Sequence, residues 1–246
     1  MGFLDKDRGD RQYHIQVSPG ELGRYVFLPG DPFRTDLIAS FLDDAKLIAH
    51  NREHKTWTGR LEGVPVSVTS TGMGCPSTAI AVEELIKCGA RTLIRIGTAG
   101  PVKDPADADH YDGVVVTAAV RDEGTTTHYI PIEYPAVADR HVVEALASSG
   151  RQRGLRLLEG ISQSKDSFDC SPVSPRLKER WTAWQRGNVA CSEMECAALF
   201  VIASIRGVRA GAIMNWGEME QTIQTACDAV RLLIRQDQAQ EGQGTV

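Results

Sequence analysis

One stretch constrains this chain more than any other: Thr92-Leu93-Ile94-Arg95-Ile96-Gly97-Thr98-Ala99-Gly100. It opens as a short apolar run rich in β-branched residues, the pattern of a strand buried on both faces. Arg95 stands inside that run. An unpaired buried guanidinium costs on the order of several kcal/mol, so Arg95 needs a fixed anion. Small residues at the carboxyl end of the strand let backbone N–H groups approach a ligand, and Thr98 adds a hydroxyl. Ligands of open α/β sheets bind just beyond the carboxyl ends of the strands. Two readings fit: an oxyanion such as phosphate, or an internal Asp or Glu that pairs with Arg95 for structural reasons.

The residues before it repeat the theme. Residues 25–28 read as a buried strand that runs into Pro29-Gly30-Asp31-Pro32, a turn signal, and then into helical spacing over 33–41 with Arg34 in the first turn. Strand, glycine turn and helix start form an anion cradle. Asp31 fits equally as the N-cap of that helix. An arginine in a first turn opposes the helix dipole, which favours an anionic ligand beside Arg34. Residues 45–49 and 57–61 read as strands joined by the polar run His50-Asn51-Arg52-Glu53-His54-Lys55, a solvated hairpin tip by composition. A strand over 64–69 ends in the small-residue loop Ser70-Thr71-Gly72-Met73-Gly74-Cys75-Pro76-Ser77, with Ser77 as the expected cap of a helix running to 87. Repeated strand, glycine loop and helix predict a largely parallel sheet with ligands at one edge.

Further on, 102–111 reads as a surface loop and 113–120 as a strand. Residues 121–139 form a long irregular segment, the kind that in a compact domain is usually functional. Helices are expected over 139–148, 175–184 and 222–235, and strands over 155–161, 189–191 and 208–214. Glu193 and Glu195 flank Met194 where a strand gives way to a helix among apolar neighbours. Such acids need donors. Sugar hydroxyls would serve, and so would the N–H groups of the helix they precede. The organisation expected is a loose arm over 1–12, one α/β domain over 13–236 and a polar tail over 237–246.

Composition excludes several classes. The chain has 246 residues, a net charge of −5, and a charged content of 24%, with no basic footprint for nucleic acid or an anionic membrane. No apolar run approaches the roughly 20 residues of a membrane span, and the charged amino end does not read as a secretory signal. The six cysteines form no CxxC pair and no zinc spacing. Scattered thiols of this kind fit buried small hydrophobes in a reducing, cytoplasmic setting.

Taken in order, these stretches resemble the nucleoside phosphorylase family, in particular its uridine phosphorylase branch. The matches are Pro29-Gly30-Asp31-Pro32 with Arg34, Asn51-Arg52-Glu53, Ser70-Thr71-Gly72-Met73-Gly74 with Pro76-Ser77-Thr78, and Arg95-Ile96-Gly97-Thr98-Ala99-Gly100. They continue with His128-Tyr129-Ile130-Pro131-Ile132-Glu133-Tyr134-Pro135-Ala136-Val137 and Glu193-Met194-Glu195. The resemblance implies a single-domain α/β fold with a central mixed, largely parallel sheet. It implies reversible phosphorolysis of a nucleoside to free base and ribose 1-phosphate, a pentosyl transfer of nucleoside salvage. Gly30, Arg34, Arg95 and Thr98 would hold phosphate, with Arg52 arriving from a neighbouring subunit. Glu193, Met194 and Glu195 would hold ribose, and His14 would reach the 5′-hydroxyl across a dimer interface. Arg95 and Glu195 would be the catalytic pair, and Phe168 would pack on the base. Glu53, Met73 and Ser77 match positions that bind a monovalent cation between subunits in some bacterial members. No cofactor is implied beyond inorganic phosphate as co-substrate, and self-association as a dimer or hexamer is.

The base end departs from the uridine branch. After Phe168 the branch carries Gln-x-Arg, where this chain has Asp169-Cys170-Ser171-Pro172-Val173-Ser174. The branch carries Asn-Arg after the late strand, where this chain has Asn215-Trp216. Three activities therefore follow as alternatives: a phosphorylase for uridine or another base, purines included; a hydrolase, against which the three arginines argue; or a non-catalytic binder of nucleoside and phosphate.

Overall fold

The computed structural model describes residues 10–168 and 175–243. Its centre is a sheet whose innermost strands are apolar on both faces. β1 (Tyr25–Leu28) pairs in parallel with β4 (Val64–Thr69) on one side and β5 (Thr92–Thr98) on the other. Alternation sends Val26, Leu28 and Leu93 to one face and Tyr25, Phe27, Ile94 and Ile96 to the other. Helices α2 (Cys75–Lys87) and α6 (Cys196–Arg206) cover the first face; α1 (Pro32–Ala39), α4 (Arg140–Gln152) and α7 (Met219–Gln243) cover the second. Arg95 alternates with Ile94 and Ile96, so it shares the face of Leu93 and points toward the layer that contains α6.

The remaining strands are β2 (Asp43–Asn51), β3 (His54–Leu61), β6 (Gly100–Pro101), β7 (Gly113–Asp122), β8 (Ala136–Val137), β9 (Leu157–Lys165), β10 (Val189–Glu193) and β11 (Arg209–Asn215). The sheet order is β2-β3-β4-β1-β5-β11-β7-β9-β10-β6, with β8 paired to β7. The sheet is mixed. Its parallel pairs are those of β1 together with β5·β11, β7·β9 and β9·β10; the β2-β3-β4 meander, β11·β7, β7·β8 and β10·β6 are antiparallel. One pairing builds the site. β6 follows β5 directly in the chain, yet it pairs with β10, Gly100 opposite Ser192. The far end of the sheet is thereby bent back onto β5, and Glu193 to Glu195 arrive beside Arg95.

Several local expectations change. Ser77 does not cap α2, whose N-cap is Gly74; it lies in the first turn, and its hydroxyl bonds Glu53 and the Thr71 carbonyl instead. His54 is no part of a solvated tip. It is 1% exposed, with Nδ1 3.0 Å from the Ser70 carbonyl oxygen. The loop over 102–111 contains the single turn α3 (Asp107–His110), and the segment over 121–139 contains a 3₁₀ turn, Thr126–His128, and β8. Helix α5 (Pro175–Arg186) appears where expected. Helix α7 runs past the expected stop at 235, because Asp237 pairs with Arg209 at 2.6 Å and accepts the Tyr25 hydroxyl at 2.6 Å. Residues 1–9 of the expected arm lie outside the described residues. Arg11 and Gln12 are bonded to the body, through Glu21 and the Val17 carbonyl. No described helix is long and apolar enough to cross a membrane.

Candidate active site

The loops at the carboxyl ends of β1, β4, β5, β9 and β10 surround a cavity of about 920 Å³. At one end stand Gly30, Arg34, Arg95 and Thr98, all lining it. Asp31 caps α1 by accepting the Phe33 N–H at 2.9 Å, and that cap turns Arg34 toward the cavity. Among the described residues the one bond from the Arg34 guanidinium is a long one, 3.5 Å, to the Ile96 carbonyl. Burial and the neighbouring Arg95 charge both lower its pKa. Two guanidiniums thus face one space, an arrangement that an anion stabilises. Gly30 leaves the room: a β-carbon there would lie 3.3 Å from the Gly72 carbonyl oxygen and 3.9 Å from Arg95 Nη1.

Of the two readings of Arg95, the internal carboxylate is realised. Its Nη2 is ion-paired to Glu195, and its Nε lies 3.6 Å from Glu193 Oε2. Burial by itself would lower the Arg95 pKa, but the two carboxylates outweigh it and the pKa is raised. Among the described residues Nε and Nη1 have no hydrogen-bond partner, although the side chain is buried. Arg95 lines the cavity, and a guanidinium is a strong, charge-assisted donor to an oxyanion.

The acids of the middle section differ in how they are held. Glu193 accepts four bonds: Ser162 Oγ at 3.2 Å and Ser164 Oγ at 2.5 Å on one oxygen, the N–H groups of Glu195 at 2.7 Å and Cys196 at 2.9 Å on the other. It is the side chain that caps α6. Glu195 accepts the Gly74 N–H at 2.7 Å on Oε1, and Arg95 with the Met194 N–H on Oε2. Met194 lies between them, its carbonyl 3.2 Å from Cys75 Sγ.

The opposite end is formed by Lys165, Phe168 and Trp181. Phe168 is 85% exposed at the mouth. Lys165 and Trp181 had no sequence signal of their own: one is a lysine at the end of β9, the other a tryptophan within the amphipathic α5. Only the strand-end rule, applied to β9, would have found Lys165. Met73, 83% exposed, lines another part of the cavity with Glu53 and Ser77, which are bonded to each other at 2.9 Å. Among the described residues no group of three His, Cys, Asp or Glu is placed to hold a metal ion.

Two expected site residues do not line this cavity. Arg52 is exposed at the β2–β3 hairpin tip. His14 is held against α2, its Nδ1 2.7 Å from Glu84 Oε1 and its carbonyl accepting Asn51 Nδ2 at 2.7 Å. Asn51 therefore ties the two to one outer region. Residues 169–174, where the base-reading motif departs, lie outside the described residues. Trp216 stands where the uridine branch carries arginine, and its indole N–H donates to the Ala99 carbonyl at 2.9 Å, bracing the loop after β5.

The family model of the phosphorylase superfamily matches residues 24–224. The uridine phosphorylase of Treponema pallidum is 42% identical over 250 aligned positions, covering 93% of this chain and 96% of that protein. The uridine phosphorylase of Thermococcus kodakarensis is 41% identical, covering 95% and 90%. The guanosine phosphorylase of Halorubrum lacusprofundi is 38% identical, covering 82% and 81%. By sequence, by fold and by the convergence of glycine loops on a buried arginine, the chain belongs to the phosphorylase superfamily.

Proposed function

We propose that this protein catalyses the phosphorolysis of uridine. A phosphate oxygen attacks C1′, the bond from C1′ to the base nitrogen breaks, and the base departs with the electron pair. The observation that carries this reading is Arg95: fully buried, paired to Glu195 on one side, and with Nε and Nη1 unsatisfied beside Arg34. Arg34 and Arg95 would fix the phosphate dianion in line with C1′, with Gly30 and Thr98 completing the cradle. This is positioning and electrostatics in a dry site. Glu195 and the Met194 backbone would orient the ribose hydroxyls. Glu193, with its lone pairs committed within the chain, would hold the start of α6 and add to the negative field that favours a cationic sugar.

Uridine is favoured over a purine nucleoside by the far end. A purine leaves most readily when an acid protonates its imidazole ring, and among the described residues the acids lining the cavity are Asp31, Glu53, Glu193 and Glu195. Beside Phe168 the described lining includes the ammonium of Lys165. A cation there suits a base that departs as an anion with carbonyl oxygens. The naming of two relatives as uridine phosphorylases agrees, while the guanosine phosphorylase relative makes a purine panel necessary. A hydrolytic reading has no use for paired phosphate-facing arginines.

His14 and Arg52 belong to this reading as residues that complete a neighbouring subunit's site in a homo-oligomer. Buried free thiols fit a reducing, cytoplasmic setting. The deciding assay is release of free base from uridine, thymidine, inosine and guanosine with and without phosphate. Phosphate-dependent release of uracil, faster than release of either purine, is expected. Release without phosphate would indicate a hydrolase, and binding without release a non-catalytic homologue.

A further inference from the structure

We infer that Ser192 is a specificity-determining residue whose hydroxyl donates a hydrogen bond to a carbonyl oxygen of the base held in the cavity. The inference deepens the reading of the cavity as a nucleoside site and rests on it. Ser192 lies on β10, lines the cavity and is 8% exposed. Its Oγ is buried and has no hydrogen-bond partner among the described residues. Buried hydroxyls are nearly always bonded, and one left unmet costs about 1–3 kcal/mol. The two flanking strands show why no neighbour meets it. On β6 its register partner is Gly100, which has no side chain and also lines the cavity. Register partners share a sheet face, with β-carbons about 4.5–5.5 Å apart. A β-carbon built on Gly100 would find nothing within 4 Å, so the space beside the Ser192 side chain is open. On β9 its register partner is Gln163, whose Nε2 donates to Asp122 at 2.6 Å. Gln163 Oε1 is itself without a partner among the described residues, so it does not take the Ser192 proton. Alternation along β9 puts Lys165 on the face of Gln163, two residues further on, where it lines the cavity with Phe168. Glu193 turns away to cap α6, and Glu195 meets Gly74 and Arg95. Ionised carboxylates only accept, so neither can meet a carbonyl oxygen; a serine hydroxyl can.

The test compares wild type with Ser192→Ala on uridine, 2-thiouridine and 4-thiouridine, in which sulfur, a weaker acceptor, replaces one or the other carbonyl oxygen. On uridine kcat/KM should fall roughly 10-fold. On one of the two thio substrates the loss should shrink to less than about 3-fold, because the bond was already weak there. Ser192→Thr keeps the hydroxyl on a strand that accommodates β-branched residues and should recover most of the loss. The ligand-free Ser192→Ala protein should melt no lower than wild type, since deleting an unmet hydroxyl removes no bond. Equal losses on all three substrates would overturn the inference. A lower melting temperature of the ligand-free variant would do so too, by showing that the hydroxyl serves the fold. If wild type releases hypoxanthine from inosine in preference to uracil from uridine, the uridine reading falls, and the same comparison is made between inosine and 6-thioinosine. A loss on inosine that shrinks on 6-thioinosine supports the inference, and a loss that persists overturns it.

Discussion

At the scale of single residues, the centre of the site is an ion pair that does not use all of its capacity. Arg95 gives Nη2 to Glu195 and keeps Nε and Nη1 unbonded. Replacing Glu195 with Gln removes the charge that partly neutralises the guanidinium. Phosphate should then bind the free enzyme more tightly, measured by calorimetry. Turnover should fall roughly 100-fold as the ribose loses a charged acceptor and faces an amide N–H2 in its place. Unchanged phosphate affinity would show that Glu195 does not temper Arg95. Gly97 makes this pair possible. A β-carbon there would meet Met214 Sδ at 2.7 Å and Arg95 Nη2 at 3.1 Å, inside a closed core. Gly97→Ala should cost about 1–3 kcal/mol of stability and weaken phosphate binding together. Gly100→Ala, with nothing within 4 Å of its would-be β-carbon, should change stability by less than about 0.5 kcal/mol. Denaturant titration of the two variants checks both.

At the scale of elements, two helix ends show how the chain finishes what propensity starts. The first N–H groups of α6 are taken by Glu193 and by Ser164 Oγ, which accepts the Ala197 N–H at 2.8 Å. The acid read from sequence as a capping or sugar-binding group does the capping, while Glu195 faces the cavity. At the other end of the chain, the last turns of α7 are polar and would fray alone. They are held because Asp237 meets Arg209 and Tyr25. Burial pushes the Asp237 carboxyl up, but the bonds from Arg209 and Tyr25 outweigh it and hold it below the ordinary 3.8. A depressed native value means that stability is gained above the unfolded value and lost as pH falls through the native one. Asp237→Asn should therefore cost ~2 kcal/mol at neutral pH. The gap from wild type should close below about pH 3.8. Thermal unfolding of both proteins from pH 7 to pH 3 measures it, and a gap that persists in acid would refute the assignment.

At the scale of the molecule, the sheet bends back on itself through the β6·β10 pair, and this turns separate strand ends into one cavity. Arg52 and His14 stay outside it, linked to one outer region by Asn51. If they complete a neighbour's site, a mixture of Arg52→Ala and Arg95→Ala proteins, each inactive alone, should regain activity after subunit exchange. In a two-fold dimer one site of each mixed pair is intact, so roughly a quarter of wild-type activity is expected. No recovery, with exchange verified by sedimentation of labelled subunits, would remove Arg52 from the neighbouring site.

What the sequence determined by itself was local and periodic. Continuous apolar runs at 25–28 and from 92 announced buried strands, and the glycine loops that end them mark the edge where the cavity lies. A guanidinium inside an apolar run had to meet an anion. The turn at Pro29-Gly30-Asp31-Pro32 read equally as cradle and cap; the structure shows the cap at Asp31 and places Gly30 on the cavity wall. What only the tertiary structure decided was which distant groups meet. The partners of Arg95 come from the far end of the sheet, the hold on α7 from strands on the other side of the chain, and Lys165 and Trp181 from elements whose patterns describe nothing but a strand and a helix. Periodicity reports which face of an element is buried. It carries no information on which other element buries it, because that depends on strand order, and strand order is a property of the whole chain.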